Sequence, residues 1–358
     1  MEIECALMGA PGLQSQGGNS GWRLGSQRED VGVELSIISV NWNSRDFLRD
    51  CIISICETVK HLSYEMIVVD NASSEGGLDK LVQEFPGLKL VRSSKNLGFA
   101  GANNLGYEHA RGDYILFLNP DTQVLGSAIQ TMVSHLRSLA DCGVIGCKLL
   151  NTDGSVQTSC IQTFPTIMNQ LFDLELLRRV VPNLRMWGIA PLLKNSQKPV
   201  KVEVVSGACM MLKREVFRDV GLFSKEYFMY AEDLDLCYKT RQRGMSNYYI
   251  SDAVVVHHGQ KSSSKQGDAL HNSEWAIVMR CDSVLKYCSK TKGRAYASMY
   301  RMAMAASALF RVLILAAPAA LSGTAPGKSA HPKVTLAKWS SVLAWSLGLH
   351  RRPDVFRT

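Results

Sequence analysis

The sequence contains no Cys-X-X-Cys pair, no Gly-Lys-Ser/Thr closing a glycine-rich loop, no Gly-X-Gly-X-X-Gly and no repeat long enough to build a solenoid. These absences set aside zinc ribbons, thioredoxin-like redox centres, P-loop nucleotidases, the dinucleotide-binding fingerprint and repeat architectures. The 28 glycines never fall at period three, which excludes a collagen-like chain. The N-terminal stretch lacks a basic-flanked apolar run, so no secretory leader is read. Ten cysteines without such a leader are expected to be free thiols in a reducing compartment, most simply the cytoplasm.

What is present is an apolar share of 46% with 20% charged residues, enough for a sizeable core. A length of 358 residues admits one large domain or two small ones. The net charge of +8 is unevenly placed: residues 280–358 hold 13 Lys/Arg against two acids, which leaves the rest slightly acidic. A basic end on a near-neutral body points to an anionic membrane surface and away from a body-wide nucleic-acid groove.

Residues 1–32 are rich in Gly, Ser and Gln and are expected to form a flexible extension. From residue 34 the pattern alternates. Leu35 to Val40 is a β-rich run, and Phe47, Leu48, Cys51, Ile52 and Ile55 follow at helical spacing. Met66-Ile67-Val68-Val69-Asp70 is a second strand. A helix near 78–85, a strand at 88–92, a helix near 99–110 and a strand at 113–118 come next. Such alternation predicts α/β architecture, a mostly parallel sheet covered on both faces by helices. Further strands are expected at 144–150, 202–207 and 247–257, with helices near 167–180, from Glu232 to Arg243, and at 273–290.

In such sheets ligands bind beyond the carboxyl ends of the strands. That rule selects Asn41, Asp70-Asn71 and the Asn119-Pro120-Asp121 turn. Asp70 reads either as an acceptor for a base or ribose or as a turn residue before a helix. Asn96-Leu-Gly98-Phe-Ala-Gly-Ala-Asn103 opens a helix with small residues. These allow close approach of an anionic ligand, or close packing of helix on sheet. Asn119 and Asp121 are two apart and point the same way if the chain stays extended. Asp121 suits Mg²⁺ or Mn²⁺ shared with substrate phosphates, or else caps a helix. In Tyr230-Ala231-Glu232-Asp233-Leu234-Asp235 the helix dipole lowers carboxylate pKa values, whereas burial and like charges raise them. Of the adjacent His257 and His258, only one can face a given site from a strand.

In their order along the chain, these segments resemble the family 2 glycosyltransferases, in particular the rhamnosyltransferase-like bacterial branch. The pieces are Val69-Asp70-Asn71, Asn96 to Asn103, Leu118-Asn119-Pro120-Asp121, Ser206-Gly207-Ala208, Gly221 to Asp235, and His257-His258-Gly259. The resemblance implies a GT-A fold over 33–290, with a nucleotide-sugar-binding half at 33–125 and an acceptor-side half at 126–290. It implies a nucleotide-sugar donor, a divalent metal (Mg²⁺ or Mn²⁺) and inversion at the anomeric carbon. Carried over by position, Val40, Asn41, Asp70, Asn96, Gly98, Asn103 and Asn119 line the donor. Asp121 and His257 meet the metal, Asp233 is the catalytic base, and Glu232 and Gly207 lie on the acceptor side. Two positions depart from the family pattern: Ala231 stands where Gly is usual and Lys239 where Arg is frequent.

The expected activity is transfer of a sugar, from dTDP-rhamnose or a UDP-sugar, to a glycan or lipid-linked acceptor in cell-surface polysaccharide synthesis. Residues 291–358 are expected to be membrane-associated. Ala303 to Leu321 has bilayer-spanning length, but central Arg311 and Pro318 favour a peripheral or re-entrant helix on the cytoplasmic face. Two rival activities differ in sequence demands. A sugar-phosphate nucleotidyltransferase would carry a glycine-rich basic loop where this chain has Asn41-Trp42-Asn43-Ser44-Arg45. A non-catalytic nucleotide-sugar or membrane scaffold has no need of the acids and histidine.

Overall fold

The computed structural model describes residues 32–171, 198–259, 269–322 and 330–349, with the single positions Leu24, Val181, Ile189 and Leu192. The expected extension at 1–32 lies almost wholly outside the described residues, as does most of the helix expected at 167–180.

Strand β1 (Leu35–Asn41) is followed by α1 (Arg45–Thr58), β2 (Tyr64–Asn71), α2 (Leu78–Glu84), β3 (Leu88–Ser93), α3 (Gly98–Glu108) and β4 (Tyr114–Leu118). The chain then forms β5 (Thr122–Leu125), α4 (Ala128–Ser138) and β6 (Cys142–Leu150). After a 3-10 turn at Thr158–Cys160 come β7 (Ile161–Gln162) and the short α5 (Ile167–Leu171). Next come β8 (Val200–Val202), β9 (Val204–Val205), β10 (Cys209–Lys213), α6 (Arg214–Asp219), α7 (Glu232–Gln242) and β11 (Ser246–His257). Three helices close the described chain: α8 (Ala269–Lys292), α9 (Arg294–Ser322) and α10 (Ala330–Ser346).

Nine strands form the main sheet, in the order β3-β2-β1-β4-β10-β6-β11-β5, with β8 also pairing β11. The first four run parallel, and β10 enters antiparallel between β4 and β6. Parallel strands covered on both faces need continuous apolar runs, which β1, β2 and β4 supply. Leu35, Ile37, Met66, Val68, Leu116 and Leu118 face one helical layer, whereas Ile38, Ile67, Ile115 and Phe117 face the other. That is the period-two alternation of a strand buried on both sides.

Two details differ from the sequence reading. The run at 202–207 is two short strands broken at Glu203, and a further strand, β10, follows it. The second core continues past residue 290, with Tyr287, Cys288, Tyr300, Met304, Ala308, Val342 and Trp345 sharing one cluster with Phe117 and Phe217. All nine described cysteines are buried and free, as expected for a chain that does not use disulfides.

The C-terminal helix α9 carries two stripes. Ala297, Tyr300, Met304, Ala308 and Arg311 are buried at three- and four-residue spacing. Met299, Met302, Leu309, Phe310, Leu313 and Ile314 are exposed. Arg311 is therefore on the protein side: its guanidinium lies 4.0 Å from the Trp339 ring centroid and donates to the Leu171 carbonyl at 3.3 Å. The charge that weighed against a bilayer-spanning helix in the sequence does not sit on the exposed face. By length and composition, the segment Arg294–Ala316 is long and apolar enough to cross a bilayer.

Candidate active site

The parallel strands deliver Asn41, Asp70-Asn71 and Asn119 to one edge of the sheet. Because β10 is antiparallel to β4, with Cys209 opposite Leu118, Gly207 and Ala208 reach the same edge from the other direction. The Asn119 N–H donates to the Ala208 carbonyl at 2.9 Å and joins the two.

The Asn-Pro-Asp turn is fixed from within and without. Thr122 Oγ1 donates to the Asn119 carbonyl at 2.7 Å, and the His258 N–H donates to the Asp121 carbonyl at 2.9 Å. Asn119 and Asp121 do point the same way. Nδ2 of Asn119 lies 3.3 Å from His257 Nε2, and Oδ1 of Asp121 lies 3.4 Å from the same nitrogen. His258 faces elsewhere, with Nδ1 3.2 Å from Thr152 Oγ1. Asp121 is 2% exposed, so its carboxylate needs a positive partner more than a surface acid would.

The donor set fits a hard divalent cation. Ligands at about 2.0–2.1 Å on adjacent octahedral positions lie ~3.0 Å apart, a few tenths less than the Asp121–His257 separation. Among the described residues no group of three or more His, Cys, Asp or Glu converges. One carboxylate and one imidazole leave most coordination positions to substrate phosphates and water, as is usual for such ions.

The acid pair sits across the Gly207 bend. Segment 222–231 is fixed by Asn104, whose side chain donates to the Phe223 carbonyl at 2.8 Å and accepts its N–H at 3.1 Å. From α8, Ser283 Oγ donates to the Met229 carbonyl at 2.8 Å. The segment ends in two consecutive left-handed residues, Tyr230 and Ala231, with φ of 67° and 66°. This is the physical reason glycine suits position 231. Asp233 then accepts the Gly207 N–H at 3.2 Å and the Leu234 N–H at 2.8 Å.

Burial outweighs the helix dipole at both acids. Desolvation, and next the neighbouring Asp233 charge, push the Glu232 carboxyl well above its usual range. Desolvation also raises Asp233, opposed by the Leu234 and Gly207 N–H groups and by the charge of Arg280. The environments thus treat the two groups differently: burial and the Asp233 charge favour the neutral form of Glu232, whereas the Leu234 and Gly207 N–H groups and Arg280 favour the anionic form of Asp233.

Asp235 has a structural task. It is fully buried, with Oδ2 2.6 Å from Ser224 Oγ and 3.1 Å from Lys239 Nζ, and with Oδ1 2.9 Å from Lys290 Nζ. Lys239, where Arg was expected, therefore shares the carboxylate with a second cation from α8.

The asparagines at the ends of β1 and β2 and on the loop and first turns of α3 are engaged with their own chain. Asn41 donates to Ser73 Oγ at 3.0 Å and accepts Ser44 Oγ at 3.0 Å. Asp70 accepts the Ser73 N–H at 3.1 Å. Asn96 accepts from Asn71 Nδ2 and from the Gly98 N–H, both at 2.9 Å, and Asn103 donates to the Phe99 carbonyl at 3.0 Å. Gly98 has φ +69°, and a Cβ there would stand 2.2 Å from the Phe228 carbonyl oxygen. The same oxygen accepts the Phe99 N–H at 2.8 Å. Protein backbone, not a phosphate, occupies this approach to α3. Val40 completes β1 and pairs with Val69.

Sequence reasoning missed Gln157 and gave Lys290 no part in this site; neither belongs to a motif, whereas Asn71 was selected together with Asp70. Gln157 precedes the 3-10 turn, and its amide brackets His257: Nε2 donates to the His257 carbonyl at 2.6 Å, and Oε1 lies 3.0 Å from Nδ1.

A mixed nine-stranded sheet with acids gathered along one edge is the GT-A type of sugar-transferring α/β fold. Two solved structures share it at 16% identity. The mannosyltransferase PcManGT from Pyrobaculum calidifontis, in complex with GDP-Man and Mn²⁺, superposes with a TM-score of 0.52 over 89% of this chain and 88% of its own. GalNAc-T7 with UDP, GalNAc and Mn²⁺ gives 0.51 over 74% of this chain, which spans about half (52%) of that one. The Glycosyl transferase family 2 pattern matches residues 36–221, and the chain belongs to that family. It is a glycosyltransferase. Curated relatives include N-acetylglucosaminyl-diphospho-decaprenol L-rhamnosyltransferase of Mycobacterium tuberculosis, 27% identical over 64% of this chain and 78% of the relative. Rhamnosyltransferase WbbL of Escherichia coli is 25% identical over 62% of this chain and 82% of its own.

Proposed function

We propose that the protein is an inverting transferase that moves a sugar from a nucleotide-sugar donor to a hydroxyl of a glycan or lipid-linked acceptor in polysaccharide synthesis. The supporting observation is the continuous line Asp233–Gly207–Ala208–Asn119–His257–Asp121, which brings Asp233 and Asp121 to one sheet edge and supports reading them as base and cation-binding acid. The two rhamnosyltransferase relatives favour dTDP-rhamnose as donor, with UDP-sugars as the second choice.

Asp121 and His257 would hold Mg²⁺ or Mn²⁺, which supplies charge to the departing diphosphate. Asp70 and Asn41 border the place where the nucleoside enters, at the ends of β2 and β1. Asp233 takes the proton from the acceptor hydroxyl as that oxygen bonds to the anomeric carbon. The bond to the diphosphate breaks on the opposite face, and its electron pair leaves on the phosphate oxygen. Neutral Glu232 offers a hydrogen bond to the acceptor and adds no second negative charge beside the base.

The exposed stripe of α9 supports a location in the plane of a membrane surface. Lys292 and Arg294 at the α8–α9 junction, both exposed, suit anionic headgroups. Free, buried cysteines accord with the cytoplasmic face.

The test is a nucleotide-sugar panel with Mn²⁺ and a lipid-linked acceptor. Asp233→Asn is expected to abolish transfer while a donor still raises the melting temperature by mass action. Retained turnover in that variant overturns the reading. Retention of anomeric configuration in the product, read by NMR, overturns the inverting mechanism.

A further inference from the structure

The atoms around His257 specify more than proximity. The end of β6 turns back through Asn151–Ser155, and the Gln157 N–H donates to the Leu149 carbonyl at 2.9 Å. Because β6 and β11 are parallel, with Leu150 opposite Val256, this turn sets Gln157 beside His257. A carbonyl oxygen only accepts hydrogen bonds. The 2.6 Å contact with the His257 carbonyl therefore fixes which end of the Gln157 amide is nitrogen. The amide oxygen must then face Nδ1, at 3.0 Å, and that oxygen too can only accept. Nδ1 must carry a hydrogen.

On the other side of the ring, the Asn119 amide nitrogen approaches Nε2 at 3.3 Å. A donor there calls for a lone pair. The neutral ring that satisfies both neighbours is protonated on Nδ1 and bare on Nε2. Nε2 then stands 3.4 Å from Oδ1 of Asp121, a second acceptor, and a cation between the two would take the Nε2 lone pair over from the Asn119 amide.

We propose that Gln157 is a positioning residue that locks His257 in the Nδ1–H tautomer, so that Nε2 and the Asp121 carboxylate form a ready-made bidentate seat for a divalent cation. The inference deepens the functional reading and rests on its assignment of Asp121 and His257 to the metal. Outer-sphere partners of a ligating imidazole set its tautomer and typically change metal affinity about 10- to 100-fold.

The experiment uses the metal-free full chain and two readouts besides turnover. Nitrogen-15 NMR of the His257 side chain is expected to show the Nδ1–H form in the wild type. Gln157→Leu is expected to lose that preference and to bind Mn²⁺ alone, read as free Mn²⁺ by electron paramagnetic resonance, about tenfold or more weaker. Gln157→Glu keeps an acceptor opposite Nδ1 and is expected to retain the tautomer, which separates hydrogen bonding from mere loss of packing. An unchanged tautomer, or unchanged Mn²⁺ affinity, in a folded Gln157→Leu protein overturns the inference. Asp121→Asn is the control. If it weakens Mn²⁺ binding and Gln157→Leu does not, the lock is wrong and the metal assignment stands. If Asp121→Asn leaves Mn²⁺ binding intact, the metal assignment itself fails.

Discussion

Lys290 of α8 places its ammonium 2.9 Å from Oδ1 of Asp235, two residues beyond the proposed base. A helix distant in sequence thereby supports the helix that carries Asp233. Lys239 covers only Oδ2, so removing Lys290 leaves half of a buried carboxylate without a cation. Lys290 is itself 40% exposed, which screens the pair. Lys290→Met is expected to cost about 1–2 kcal/mol in urea denaturation. No change in midpoint would mean that Lys239 and Ser224 suffice.

Ala231 sits at φ 66° and ψ −2°, where a side chain is unwelcome. An L-residue there costs roughly 1–2 kcal/mol, and glycine loses part of that gain to its unfolded-state freedom. Ala231→Gly is expected to stabilise the protein by about 0.5–1 kcal/mol. A lower melting temperature would show that the buried methyl group matters more than the backbone.

Much of this was legible beforehand, and the boundary is physical. The strands β1, β2 and β4 announce themselves because both faces are buried and their apolar runs are unbroken. The ends of those runs then select Asn41, Asp70 and Asp121. What was not legible depended on antiparallel return. Nothing local to Cys209–Lys213 says that β10 inserts between β4 and β6, yet that insertion brings Gly207 to Asn119. That Arg311 faces the protein was not legible either, because counting charges in a window ignores which side of the helix they occupy. Gln157 acts through a pairing of β6 with β11 that no spacing in the sequence encodes.

Gly98 and Gly101 provide an internal comparison on α3. A Cβ at Gly98 meets the Phe228 carbonyl at 2.2 Å in a left-handed backbone, whereas one at Gly101 meets only the Leu97 Cβ, at 3.0 Å. Gly98→Ala is expected to destabilise by more than about 2 kcal/mol. Gly101→Ala is expected to lie within about 1 kcal/mol of the wild type, because helix propensity offsets the tight contact. Equal effects of the two changes would contradict the close approach of Phe228.

Glu232 ties stability to pH. Its folded pKa is raised by burial and by Asp233, so the folded state holds the proton more tightly than the unfolded chain does. Its contribution is fully present below the unfolded value, about 4.3, and is lost as pH rises through the raised folded value. Glu232→Gln removes that loss. The melting temperature of the variant minus that of the wild type is expected to grow as pH rises from about 4 toward 8. A difference that stays flat over this range would show that Glu232 does not titrate late.

The exposed stripe of α9 makes a prediction that is independent of catalysis. Phe310 is 63% exposed and Leu313 60% exposed, and neither supports the core. Fully burying such a side chain contributes about 1.5–3 kcal/mol, so two partly exposed ones inserted among acyl chains together supply about 2–3 kcal/mol. The double variant Phe310→Ser with Leu313→Ser is expected to bind phosphatidylglycerol-containing vesicles at least about tenfold more weakly in flotation assays. Its melting temperature should not move, because the buried stripe through Tyr300, Met304 and Ala308 is intact. Raising salt should weaken the wild type as well, through the basic residues at the α8–α9 junction, while the apolar contribution persists. Vesicle binding that survives the double substitution would place the lipid contact on another surface.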